Sequence, residues 1–211
     1  MQHELKICAS LEHTNILPVF GYTTGFGLFI AIVSPWAENG NLSTYLAREG
    51  EALTLVRRFQ ILRDITAGLQ YLHVNSVIHG DLNGPNVLIN GDGTACVADF
   101  GLSLMYSEVI RASQASWTST FKGNLRWMAP ELLAEREDGS PVRPSKQSDI
   151  YSFGGIMLQL EKPSRSRYPE QPDKYWDLIE QCWSTDPLKR PSTEGIDEVI
   201  KNEFLSLSGS H

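Results

Sequence analysis

Between His79 and Gly101 the chain sets its chemistry-bearing polar residues at the ends of short runs of strand-forming residues, and few folds place them so. The stretch opens His79-Gly80-Asp81-Leu82-Asn83-Gly84-Pro85-Asn86, and Asp99-Phe100-Gly101 begins thirteen residues after Asn86, behind the apolar run Ala95-Cys96-Val97-Ala98. Val77-Ile78, Val87-Leu88-Ile89 and Thr94 to Val97 predict short strands around a polar turn, so Asp81, Asn86 and Asp99 fall in loops or at strand ends. Rigid strands position such residues and loops expose them. Singly, Asp, Asn and Gly are ordinary turn residues. Together, one carboxylate that can take a proton and two oxygen donors that can hold magnesium are what phosphoryl transfer needs.

Further fixed groups follow in order: Ala129-Pro130-Glu131, then Ser148-Asp149-Ile150-Tyr151-Ser152-Phe153-Gly154, then Asp186-Pro187 with Arg190-Pro191. At roughly one chance in twenty per position, about a dozen such residues in sequence are not coincidence. On these residues the chain resembles the protein kinase family. Asn15-Ile16-Leu17, Leu125-Arg126-Trp127-Met128-Ala129-Pro130-Glu131 and Gln181-Cys182-Trp183 make it similar to the tyrosine-kinase-like branch of serine/threonine kinases. The resemblance spans nearly the whole chain. It implies an α+β, bilobal fold with an incomplete small β lobe and a mainly α-helical large lobe. Residues 1–205 are expected to form the kinase-like domain, with 1–36 a small-lobe remnant of one helix and two strands, 37–205 the large lobe, and 206–211 a tail.

Local patterns agree with that order. Glu4 to Leu11 predicts a short helix, and Pro18 to Tyr22 with Phe26 to Val33 predicts two strands joined at Thr23-Thr24-Gly25. Leu55, Phe59, Leu62, Ile65, Leu69 and Leu72 recur every three or four residues, marking a long amphipathic helix that stops before the His79 loop. Further helices are expected over Asp149 to Leu160, Lys174 to Trp183 and Thr193 to Leu205. With 211 residues and 41% hydrophobic content the chain can bury one sizeable core. A formal charge of −7 disfavours nucleic acid and acidic membrane as partners. The longest apolar run, Phe26 to Val33, suits a buried strand rather than a membrane span, and the N-terminus lacks the apolar core of a secretion signal. Cys8, Cys96 and Cys182 are scattered without metal spacing, which favours reduced thiols in a soluble, cytoplasmic protein.

The resemblance implies roles residue by residue. Asp81 matches the aspartate that accepts the substrate hydroxyl proton, and Asn86 and Asp99 match the two magnesium ligands, with ATP as phosphoryl donor and a protein as acceptor. Phe100 packs behind the magnesium loop, Gly101 lets the chain turn, and His79 is structural. Ser34-Pro35-Trp36-Ala37 falls where such kinases receive adenine: Ser34 controls the back of the pocket, and backbone groups of Pro35 and Ala37 face the base, with the Pro35 carbonyl still an acceptor. Asp149 holds the catalytic loop through its backbone, and Glu131 with Arg190 forms a buried ion pair. His13 and His73 are read as structural. Ser113, Ser116, Thr118, Ser119 and Thr120 fall in the activation segment, with Ser116, Thr118, Ser119 and Thr120 as candidate phosphorylation sites.

Departures from the family pattern point to altered activity. Glu4 stands where the family has the helix glutamate that pairs with a strand lysine, yet only three residues precede it, so that lysine and the glycine-rich loop over the phosphates lie outside this sequence. Loss of both predicts weakened nucleotide affinity and positioning. Gly80 stands in place of an arginine that clamps activation-loop phosphate. Asn83 stands in place of a lysine, and Asn124 in place of the threonine that meets it. The neutral amides can hydrogen-bond but add no positive charge. Between Gly154 and Trp176 the large lobe is also shortened: where the family carries a further substrate-side helix, Leu160-Glu161-Lys162-Pro163 runs directly into a proline-containing linker. Two readings stay open: a kinase domain acting on serine or threonine in intracellular signalling, and a noncatalytic pseudokinase that binds or scaffolds partners.

Overall fold

A computed structural model describes residues 10–24, 31–100, 125–134, 139–160 and 173–208. The longest element, α2 (Leu55–Val74), forms because its apolar residues share one stripe; Phe59, Leu62, Ile65, Leu69 and Leu72 are all buried. The Thr54 side chain caps it by accepting the Arg57 N–H at 3.2 Å. That stripe lies on the last helix, α5 (Thr193–Ser208), and on strand β4 (Ala95–Val97). A shorter helix, α1 (Leu42–Glu49), is capped by Asn41, whose Oδ1 accepts the Thr44 N–H at 3.0 Å. Helix α3 (Lys146–Leu160) crosses the middle of the large lobe with Ile150, Phe153, Ile156 and Met157 buried, and packs on α4 (Asp173–Cys182).

Two antiparallel ribbons complete the described chain: β1 (Gly21–Thr23) with β2 (Ala31–Val33), and β3 (Val87–Ile89) with β4. The β3–β4 hairpin is bonded along both edges. On one side Leu17 N–H donates to Val97 O and Val97 N–H to Asn15 O, each at 2.9 Å, with the buried Asn15 side chain donating to Ala95 O at 3.0 Å. On the other, Asn39 N–H meets Ile89 O at 3.1 Å and Ile89 N–H meets Gly40 O at 2.8 Å. His13 stacks on Tyr71 of α2 with ring centroids 4.8 Å apart and accepts the Asn15 N–H, so its role is structural. The family fold class of a small β part and a helical large part is what the elements form.

Several expected boundaries move. Val77-Ile78 is not a strand: Val77 N–H turns back to Leu72 O at 2.9 Å, closing the end of α2 through Ser76 at a φ of 59°. The strand expected from Pro18 is confined to Gly21–Thr23, preceded by one bond from Phe20 N–H to Val33 O at 2.8 Å. Helix α1 was not expected, and α3 begins three residues before Asp149. Cys96 and Cys182 are unpaired and buried, and burial pushes the Cys182 thiol up to about 12, which removes it from thiolate chemistry. Cys8 and most of the expected helix from Glu4 lie outside the described residues. Among the described residues no helix is long and apolar enough to cross a membrane.

The turn Pro130–Leu133 is locked onto the helical lobe by a two-pronged contact. Arg190 NH1 and NH2 donate to the two Glu131 carboxylate oxygens at 2.6 and 2.8 Å, and the same guanidinium donates to Ser184 O and Gln147 O. The Arg190 side chain is fully enclosed, so its charge depends on Glu131. Partial burial pushes the Glu131 carboxyl up, but the Arg190 hydrogen bond and charge outweigh it and the net shift is downward. A lowered folded value means that the pair contributes fully above the ordinary value of 4.5 and is lost as pH falls through the folded one. Glu131→Ala is therefore expected to cost about 3 kcal/mol in urea unfolding at neutral pH, with the gap to the parent protein narrowing below pH 4.5.

Candidate active site

The polar loop from His79 to Asn86 hangs from one buried carboxylate. Asp149, 1% exposed in the first turn of α3, accepts the His79 N–H on Oδ2 at 2.9 Å and the Gly80 N–H on Oδ1 at 2.8 Å. His73, near the end of α2, places Nε2 2.8 Å from the same Oδ2. Gly80 takes a φ of 77°, a left-handed conformation that costs any side chain with a Cβ about 1 kcal/mol or more. The residue that departs from the family pattern thus occupies a turn that glycine makes without strain.

From there the loop is tied through Asp81. Its N–H donates to His79 Nδ1 at 3.3 Å, and its carbonyl receives the side-chain amides of Asn83 at 2.9 Å and Asn86 at 2.8 Å. The same two amides reach its carboxylate, Asn83 Nδ2 to Oδ1 at 3.2 Å and Asn86 Nδ2 to Oδ2 at 3.3 Å. Asn86 spends its NH2 on Asp81, so its Oδ1 is the end left to meet a cation. The Asn86 carbonyl accepts the Ala98 N–H at 2.9 Å and so draws in the residue just before Asp99. Asp99 is exposed at a φ of 55°, a backbone state sparsely populated for a residue with a side chain and concentrated at functional sites. Phe100, next to it, is 4% exposed within the core.

His79 is fully buried, and its electrostatics locate the carboxylates around it. Burial pushes its imidazole below the ordinary value, opposed by the negative charges of Asp149, Asp81 and Asp99. Among the described residues no three His, Cys, Asp or Glu side chains gather into a metal cage. Asp99 offers a carboxylate and Asn86 an amide oxygen, both hard oxygen donors of the kind magnesium prefers.

The expected adenine segment, Ser34 to Ala37, lies beyond β2 and leads into Asn39 and Gly40, which bond to the outer edge of β3. Ala37, 7% exposed, gives its carbonyl to Gly40 N–H at 3.0 Å. Trp36 is 84% exposed. Ser34 and Pro35 are half-buried between β2 and this turn. Asn39, not singled out from sequence, donates to Asn90 O at 2.7 Å and closes the base segment onto the hairpin. Its position after Glu38 in a turn-forming run was the available signal. Glu4, Gly101, Asn124, Ser113, Ser116, Thr118, Ser119 and Thr120 lie outside the described residues.

The family model for protein tyrosine and serine/threonine kinase matches residues 1–171. The chain is 32% identical to the dual specificity protein kinase zakA of Dictyostelium discoideum over 92% of its own length and 28% of that protein. It is 30% identical to the serine/threonine/tyrosine-protein kinase HT1 of Arabidopsis thaliana, over 94% of this chain and 53% of the relative. Human ephrin type-B receptor 4 is also 30% identical, over 94% of this chain and 22% of the receptor. The chain thus spans about half or less of the length of these relatives.

Asp149 gives the sharpest test of how the loop is held. Asp149→Ala leaves the His79 and Gly80 N–H groups without their acceptor, at about 3 kcal/mol for two buried donors. Chemical denaturation should register that loss, and Asp149→Asn, which keeps one acceptor oxygen, should fall between the two.

Proposed function

The chain belongs to the protein tyrosine and serine/threonine kinase family, and from that premise we propose that it transfers the γ-phosphoryl group of ATP to a serine or threonine hydroxyl of a protein. The observation that carries the reading is the tie among Asp81, Asn86 and the strand leading into Asp99, with the turn that follows Ala37 bonded through Asn39 and Gly40 to the other edge of the same hairpin. Magnesium-bound ATP supplies the phosphoryl group and much of the charge neutralisation. Asn86 Oδ1 and the Asp99 carboxylate hold the cation. The Pro35 carbonyl and Ala37 N–H meet the base, with Ser34 behind it. Asp81 orients the acceptor hydroxyl and takes its proton as the oxygen bonds to phosphorus and the bond to the leaving ADP breaks. His79, buried and neutral, supports the loop and takes no proton in this scheme.

Serine or threonine is assigned on the resemblance to the tyrosine-kinase-like branch, while the relatives include a dual specificity and a serine/threonine/tyrosine kinase. The acidic balance of −7 supports a protein acceptor over nucleic acid. We place the protein inside the cell, in keeping with buried, unpaired Cys96 and Cys182. Phosphorylation at Ser116, Thr118, Ser119 or Thr120 belongs to the same proposal. The noncatalytic reading draws its support from Asn83, which offers no cation beside Asp81.

Magnesium-ATP is expected to raise the melting temperature of the protein, and Asp99→Ala to abolish that rise. Asp81→Asn is expected to keep the rise while lowering transfer to a mixed serine, threonine and tyrosine peptide set by about 10²- to 10⁴-fold. A parent protein that magnesium-ATP does not stabilise overturns the enzyme reading in favour of the binding module.

A further inference from the structure

We propose that Asn83 is a positioning residue that aims the Asp81 carboxylate, an inference that rests on the kinase reading of this site. Asn83 is 2% exposed, and both ends of its amide are engaged. Its NH2 donates to the Asp81 carbonyl at 2.9 Å and reaches the Asp81 Oδ1 at 3.2 Å, while its Oδ1 accepts the Asn86 N–H at 3.1 Å. One planar group thus spans the residue assigned to the proton and the residue assigned to the cation, and fixes their separation. A serine at 83 can still cap the following turn, but it is too short to bond Asp81 as well. An aspartate there would set a second negative charge against Asp81.

The backbone around Asn83 prevents the amide from turning elsewhere. Asn83 is extended, with φ −159° and ψ 170°, and caps the 3-10 turn Gly84–Asn86. Gly84 is buried so closely that a Cβ there would come within 2.4 Å of both Gln159 Oε1 and Ser43 Oγ. Those side chains bridge α3 and α1, Gln159 Nε2 donating to Ser43 Oγ at 2.9 Å. The loop therefore lies flat on an inter-helix bridge. Asn83 points inward as a consequence, and its amide both donates to Asp81 and accepts from Asn86, whereas a lysine could only donate; it adds no positive charge. Its influence falls on turnover through Asp81 rather than on nucleotide binding.

Two substitutions in the full 211-residue chain separate aiming from capping. Asn83→Ser keeps the cap and loses the reach to Asp81, while Asn83→Ala loses both. Both variants are expected to lower kcat by roughly ten- to a hundred-fold, with KM for ATP unchanged in Asn83→Ser, which keeps the bond to Asn86; Asn83→Ser is expected to melt below the parent and Asn83→Ala lower still. A double-mutant cycle of Asn83→Ser with Asp81→Ala, read in melting temperature, is expected to be non-additive because the two side chains touch. Parent-like kcat in Asn83→Ser, or additive melting shifts, overturns the inference. Should the parent show no turnover, the transfer reading fails for the chain while the melting cycle alone still decides the role of Asn83.

Discussion

A single carboxylate, buried at the start of a helix, sets the geometry on which the candidate site depends. Asp149 is almost fully enclosed, and two backbone N–H groups and a histidine nitrogen converge on it. Its place in the first turn of α3 also puts negative charge where the helix dipole favours it. A buried charge without these partners would destabilise the fold, so the loop and the helix specify one another. Everything further along, from the Asp81 carbonyl to the strand before Asp99, is oriented by bonds that begin at this anchor.

The helical elements and the residues gathered in the site were legible where the chain repeats a pattern or concentrates polar groups. The stripe from Phe59 to Leu72 is long enough for its period to stand out, and it forms the helix it predicts. Helix α1 escaped notice because two turns hold only Leu42, Tyr45 and Leu46 as a pattern, although the Asn41 cap was visible. Val77-Ile78 misled because β-branched residues after a helix can be consumed in its closing turn. The partnership of His73 with Asp149 joins residues 76 positions apart, and no local rule connects them. The crowding at Gly84 is likewise set by α1 and α3, which are remote in sequence.

The site manages charge with few cations. Among the described residues Asp81 meets two neutral amides, Asp149 meets backbone N–H groups, and His79 is kept neutral by burial. Arg190 is committed to Glu131 and to two carbonyls, and the buried Arg58 to the carbonyls of Leu160 and Gly50. Neutral amides tolerate pH change without losing their hydrogen bonds, which suits a loop whose task is direction.

The hairpin with both edges taken acts as a gauge. One rim holds the backbone of Asn39 and Gly40, the strand end beyond Val97 carries Asp99, and three-residue strands bonded on each side fix the span between them. Any molecule that bridges those two points is measured against backbone, so substitutions of side chains along the cleft can alter how tightly it is gripped but not how long it must be.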